Sequence, residues 1–251
     1  MTTKKGLCML IDQKMKVHTD QWHIASHVVR LESSIIREIL KISNKPGVIN
    51  FAGGLPAPDL FPLEDIRWAT EQAIAHFGPD SVQYGLSAGM TQLRELIAER
   101  ATMRGTKTEA KNIQITAGGQ QGIELVARAF IERGDYILTE NPTYVGALQA
   151  FNYYGARYCT ADMDDEGLVI DFVKQCIEKH KPKLIYTISN FQNPTGITMS
   201  EKRRRQLIEL AVGYDIPIID DNPYGDIRFA GEHLPTLKSI EIGRASCRER
   251  V

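Results

Sequence analysis

Leu184-Ile185-Tyr186-Thr187-Ile188-Ser189-Asn190-Phe191-Gln192-Asn193-Pro194-Thr195-Gly196 is the stretch whose reading decides the fold. An apolar run, 184–188, gives way to a polar turn closed by proline and glycine, as a buried strand does on leaving a sheet. A second run behaves alike: Ile216-Pro217-Ile218-Ile219-Asp220 stops at Asp221-Asn222-Pro223-Tyr224. Further β-type runs at 113–116, 136–139 and 157–160 alternate with helical stretches at 91–104, 120–133, 169–180 and 200–213. Such alternation requires helical crossovers between parallel strands, so the spacing predicts a three-layer α/β/α domain. The strand ends then share one rim, where open α/β sheets collect their ligands.

The residue types at that rim suit a particular chemistry. Asp221, Tyr224 and Asn193 are an acid, a phenol and an amide. A ring that stores the electrons of a broken bond, as pyridoxal phosphate does, needs an acid beneath its ring nitrogen and hydrogen-bond partners at its ring oxygen. Taken alone, Asn193-Pro194-Thr195-Gly196 is an ordinary turn signal, and one acid closing a strand is unremarkable. A third feature accompanies them. Between the β-type run 113–116 and a helix patterned by Ile123, Val126, Ala127 and Phe130 lies Ala117-Gly118-Gly119. A glycine turn opening a helix presents free backbone N–H groups and the positive end of the helix dipole, which suit a phosphate dianion.

Ordered motifs carry a family resemblance: Ile49-Asn50-Phe51-Ala52-Gly53-Gly54-Leu55-Pro56, Val82-Gln83-Tyr84-Gly85, Thr116-Ala117-Gly118-Gly119-Gln120-Gln121, Glu140-Asn141-Pro142-Thr143-Tyr144, and the two strand-end motifs quoted above. From about Val29 to Ser239 the chain resembles the class I/II aminotransferases, the fold-type I pyridoxal-phosphate enzymes, and within them the 2-aminoadipate and multi-substrate branch. The resemblance implies cofactor-phosphate contacts at Gly118, Gly119 and Gln120, although relatives often carry Ser or Ala where this chain has Gly119. It implies a ring stacked on Tyr144, where a flat apolar face excludes water. It implies Asp221 at the pyridine nitrogen, because the family's acid stands three residues before the tyrosine; a nearby carboxylate favours the protonated ring. Asp220 is the rival, but adjacent strand residues point to opposite faces and only one of them should reach the ring. Asn193 and Tyr224 would share the ring oxygen. Tyr84 would reach the cofactor phosphate of a neighbouring subunit in a homodimer, and the Gly53-Gly54 backbone would border the substrate carboxylate. Ser34 and Arg37, on an amphipathic segment 31–42, match positions near the substrate side chain; read plainly, the arginine is a solvated residue on a helix face.

Composition agrees with a metabolic role. The 251 residues are 43% apolar with a formal charge of -1, enough for a substantial core and nothing that suggests a nucleic-acid partner. Lys202-Arg203-Arg204-Arg205 opens a helical stretch and is predicted to be a solvated face. Cys8, Cys159, Cys176 and Cys247 form no CxxC pair, which argues for thiols in a reducing compartment. His23 and His27 lack an acidic partner of the HExxH kind, so no metal is expected. No run is long enough to cross a bilayer, and Met1 to Lys16 has no secretory signal, which makes the cytoplasm the default.

The ends depart from the family. Residues 1–14 resemble nothing in it and are expected to be spurious or disordered, with Met15 an alternative start. Residues 15–60 should form an N-terminal arm and part of an incomplete small domain, and 61–240 an incomplete cofactor-binding large domain. The family's Schiff-base lysine lies in a Ser-x-Ser-Lys type segment beyond the acidic strand end, and this chain stops before it. Lys238 lies too close to Tyr224 to take that part, so no catalytic residue is assigned. Residues 241–251 resemble the translation of a sequencing-adaptor oligonucleotide and are expected to be a non-native tail.

The function implied is transfer of an amino group from an L-amino acid to a 2-oxo acid, with this chain by itself inactive. Loss of the final strands would leave an unpaired sheet edge and exposed apolar surface, hence poorly folded material. The alternative is the effector-sensing domain of a winged-helix transcription regulator. That reading calls for a DNA-binding domain ahead of the aminotransferase region, and only about fifty residues, with no basic recognition helix, precede Gly53.

Overall fold

The computed structural model describes Gly54, residues 56–241 and residues 247–249. Its helices are α1 (Leu63–Phe77), α2 (Thr91–Met103), α3 (Gly119–Phe130), α4 (Val145–Tyr153), α5 (Ile170–His180), α6 (Glu201–Gly213) and α7 (Leu237–Ile240). The strands are β1 (Tyr136–Asn141), β2 (Arg157–Asp164), β3 (Gly167–Leu168), β4 (Leu184–Thr187), β5 (Ile218–Asp220) and β6 (Cys247–Glu249), in the spatial order β3-β2-β1-β4-β5-β6. All neighbours pair parallel except β3, which folds back antiparallel on β2 through Met163↔Leu168 and Asp164↔Gly167.

Alternation along the strands divides the core into two layers. Leu138, Ile185 and Ile218 face one side, against Val173 and Ile177 of α5 and Leu207, Ile208 and Ala211 of α6. Ile137, Leu184, Tyr186 and Ile219 face the other, against Ile123 and Ala127 of α3 and Ala147, Ala150 and Phe151 of α4. Both faces are therefore covered, as the near-continuous apolar runs of parallel strands require. The three-layer α/β/α expectation holds.

Several local expectations need correction. Residues 113–116 are not a strand: the described backbone offers them no ladder, and Ile115 donates only to the carbonyl of Ala88, at 3.0 Å. The basic run 202–205 is not one solvated face, because the helix turns its members to different sides. Lys202 and Arg205 are exposed, whereas Arg204 is fully buried and donates to the carbonyls of Met199, Ser189 and Pro235 and to Asn190 Oδ1 at 2.7–2.9 Å. The sheet extends one strand past β5, since residues 247–249 pair with it in register Ile218↔Cys247, and β6 is then the last strand on that side among the described residues. Exposed apolar surface does occur on α1, which buries none of its residues and leaves Leu63, Ile66, Trp68 and Ile74 open.

Among the described residues no helix is long and apolar enough to cross a membrane. Segment 222–236 runs back beside α2, where Asp226 meets Arg100 at 2.5 Å and Thr236 meets Thr106 at 2.7 Å.

The two-layer core makes a direct prediction. Leu207→Ala empties a fully buried position on α6 and should lower stability by about 2–5 kcal/mol. Val212→Ala, on the same helix but exposed, should change it by less than about 0.5 kcal/mol. Urea unfolding of both variants decides; equal losses would mean that α6 does not pack as described.

Candidate active site

The loops that follow β1 and β4 part company. The chain after β1 enters α4 on the Phe151 face, whereas the chain after β4 enters α6 on the opposite face. The crevice between β1 and β4 is thus a topological switch point, where open sheets bind ligands. The turn bearing Tyr144 follows β1 and the turn bearing Asn193 follows β4, so these two residues flank it. Asp221 comes next along the rim, one residue past β5.

Asp221 is 2% exposed. Its N–H donates to the Thr187 carbonyl at 2.9 Å, and the Tyr186 hydroxyl donates to its Oδ2 at 2.8 Å. Tyr186 belongs to the layer of α3 and α4, with its ring 5.7 Å from that of Phe151. Asp220 takes the other face: the Ser189 N–H donates to its Oδ1 at 3.3 Å and the Arg204 guanidinium opposes its charge, although burial still pushes this carboxyl up. The pleat therefore gives the two adjacent acids separate surroundings, and Asp221 shares the side that Tyr144 packs against.

Tyr144 precedes α4 as its N-terminal cap residue, and its ring lies over Gly146. A Cβ at Gly146 would meet that ring at 2.4–2.6 Å, so glycine is what allows the ring to lie there. The Gln120 amide donates to the Gly146 carbonyl at 2.7 Å and ties the start of α3 to the start of α4. Gly118 precedes α3 with φ 94°, a backbone that side chains disfavour, and no atom lies within 4 Å of where its Cβ would be. The N–H groups of Gly119 and Gln120 stand in the first turn, where no intrahelical carbonyl reaches them. Asn193 and Tyr224 meet at 3.3 Å, the amide donating to the phenol oxygen.

Gly118, Gly119, Gln120, Tyr144, Asn193, Asp221 and Tyr224 thus fall at the strand ends and helix starts of one rim. Tyr84 does not join them; it is fully exposed, and Gly54 is exposed as well. Gly53, Ser34 and Arg37 lie outside the described residues. The donor set fits pyridoxal phosphate: a desolvated carboxylate, a paired amide and phenol, a flat ring over glycine, and open N–H groups at a helix start.

Sequence reading gave no role to Tyr186, Glu140 or Gln192. Glu140, 1% exposed, accepts from Thr187 Oγ1 at 2.5 Å, from the Ile188 N–H at 2.9 Å and from Gln192 Nε2 at 2.8 Å. The one available signal was an acid closing an apolar run, the same signal that pointed to Asp221. Burial pushes Glu140 up from 4.5 to about 7, against the downward pull of Thr187, Gln192 and Ile188.

A raised carboxyl makes the folded state bind the proton more tightly than the unfolded one, so its contribution to stability is complete below about pH 4.5 and is lost as pH rises through about 7. The cost of ionising Glu140 on that path is on the order of 3 kcal/mol. Glu140→Gln should therefore flatten the decline in stability between pH 5 and 8, while Asp220, shifted the same way, preserves a residual slope. Urea midpoints across that range provide the check, and an unchanged slope would show that Glu140 ionises without penalty.

Comparison with known proteins places the chain in a family. Residues 46–245 match the family "Aminotransferase class I and II". Aromatic-amino-acid aminotransferase 1 of Thermococcus litoralis is 41% identical over 86% of this chain and 54% of its own length. The 2-aminoadipate transaminase of Thermus thermophilus is 35% identical over 86% of this chain and 52% of its own. Among solved structures, kynurenine aminotransferase of Pyrococcus horikoshii, described in complex with PMP, superposes with TM-score 0.86 at 33% identity, over 94% of this chain and 59% of its own. The chain spans about half the length of the curated relatives it matches. On the strength of the family match over most of its residues, this chain belongs to the class I and II aminotransferases.

Proposed function

We propose that this chain supplies the cofactor platform of an aminotransferase that moves an amino group from an L-amino acid to a 2-oxo acid with pyridoxal phosphate. The observation that carries the reading is the setting of Asp221: a carboxylate almost without water, at the end of β5, on the side where Tyr144 lies over Gly146. When bound, the cofactor supplies an electron sink for the bond broken at the substrate α-carbon.

Each residue has a defined part in that reading. Asp221 would favour a proton on the ring nitrogen through its negative charge, and the Tyr186 hydrogen bond fixes the carboxylate in place. Tyr224 and Asn193, which meet each other at 3.3 Å, would share the ring oxygen as hydrogen-bond partners. Tyr144 would cover one face of the ring and exclude water. Gly118, Gly119 and Gln120 receive the phosphate on backbone N–H groups and the helix dipole. Tyr84, fully exposed on this chain, is assigned in this reading to the cofactor phosphate of a neighbouring subunit in a homodimer. Aromatic amino acids and 2-aminoadipate are the donors that the relatives' names point to, and the acceptor in this reading is a 2-oxo acid.

In the whole protein, Asp221→Ala should lower turnover by about 10²-fold or more, the scale seen when one preorganised electrostatic partner is removed. Retained turnover would remove Asp221 from the site. A panel of amino donors should rank aromatic amino acids or 2-aminoadipate first, and preference for alanine would count against this substrate class. Lys238, the lysine nearest Tyr224 in sequence, is held by Glu241 at 2.9 Å, and the 251-residue chain alone should turn over no donor. Amino transfer by that chain would overturn the expectation.

A further inference from the structure

Gln192 is 1% exposed and bonds to two separate turns at once. Its amide nitrogen donates to Glu140 Oε2 at 2.8 Å and to the Pro142 carbonyl at 2.9 Å. Its amide oxygen accepts from the Thr195 N–H at 3.0 Å and from Thr195 Oγ1 at 2.7 Å. Both donors and both acceptor sites of the side chain are therefore used. The orientation is also decided, because exchanging amide N and O would set an acceptor against the Glu140 carboxyl and the Pro142 carbonyl.

Glu140 extends the connection. Its Oε1 takes the Thr187 hydroxyl and the Ile188 N–H, so the end of β1, the end of β4 and the two turns beyond them form one hydrogen-bonded unit. That unit crosses the switch point, where the crossover helices leave for opposite faces of the sheet. One turn carries Tyr144 and the other carries Asn193, and Gln192 bonds directly to both. A saturated buried network is rigid, and each bond in it is costly to break.

We propose that Gln192, held by Glu140, is the positioning residue that fixes the gap between the Tyr144 turn and the Asn193 turn, and with it the orientation of a planar ring lying between them. The second half of this statement rests on the cofactor reading above; the first half does not. Gln192 touches neither ring nor substrate here. It acts through the two turns.

Two measurements separate these halves. Amide hydrogen exchange on the whole protein should show Gln192→Ala speeding exchange about tenfold or more in both 143–147 and 193–197, with the amides of α5 unchanged. Acceleration confined to 193–197 would overturn the coupling. In the whole protein, titration with pyridoxal phosphate followed by its induced circular dichroism should give a band that Gln192→Ala weakens, with affinity about tenfold lower and far-ultraviolet dichroism retained. An unchanged band and affinity would overturn the positioning role, whereas no band in the unmutated protein would overturn the cofactor reading and leave the exchange result to judge the strut. Should Gln192→Ala fail to fold, Thr195→Val removes a single hydroxyl donor and should loosen the same two segments to a smaller degree; no loosening in either would overturn the proposal.

Discussion

Both faces of the parallel sheet are covered by helices, which leaves the strand ends as the main place where its backbone and side chains can be polar. The interior of the strands is accordingly apolar: Ile137 and Leu138, Leu184 and Ile185, and Ile218 and Ile219 are all at most 5% exposed, and successive residues serve opposite layers. Polar character gathers at one rim, in Thr139 and Glu140, in Thr187, Ser189 and Asn190, and in Asp220 and Asp221, every one of them buried. A group placed there has little water and must find its partners in the protein.

Three carboxyls crowd that rim, and each meets a different solution. Asp220 faces Arg204, whose guanidinium also holds the carbonyls of Met199, Ser189 and Pro235. Glu140 faces neutral donors only, and burial moves it toward the neutral range. Asp221 accepts a hydrogen bond from the Tyr186 hydroxyl on the far side of the pleat. A buried charge such as Arg204 is weak evidence for stability, because desolvation offsets much of the attraction. Its effect is better described as geometric, since it fixes the turn that follows β4 from beneath.

Elements whose side chains repeat at the right period were legible in advance. α2, α3, α5 and α6 and the strands β1, β4 and β5 lie close to the runs read from sequence, and β2 begins where expected and continues to Asp164. α4 escaped notice because Val145–Tyr153 is apolar around most of its circumference and shows no clean stripe. Residues 113–116 have the composition of a strand but no ladder among the described residues, and strand propensity expresses itself only through pairing. The burial of Arg204 was illegible for a related reason: three neighbours in the same basic run are partly or fully exposed, and only the helix's rotation against the sheet separates them.

The sequence by itself determined the layered α/β plan, the rim on which polar residues collect, and the residue types at Gly118, Tyr144, Asn193, Asp221 and Tyr224. These depend on period, on turn chemistry and on local spacing, all of which are properties of short stretches. The split of Asp220 and Asp221 to opposite faces also follows from strand alternation; tertiary structure alone decided that Tyr186 supports the second of them, and that Glu140 and Gln192 join two turns about fifty residues apart. Those are contacts between segments brought together by strand order, and a hydrogen bond across a sheet leaves no periodic trace in the chain that makes it.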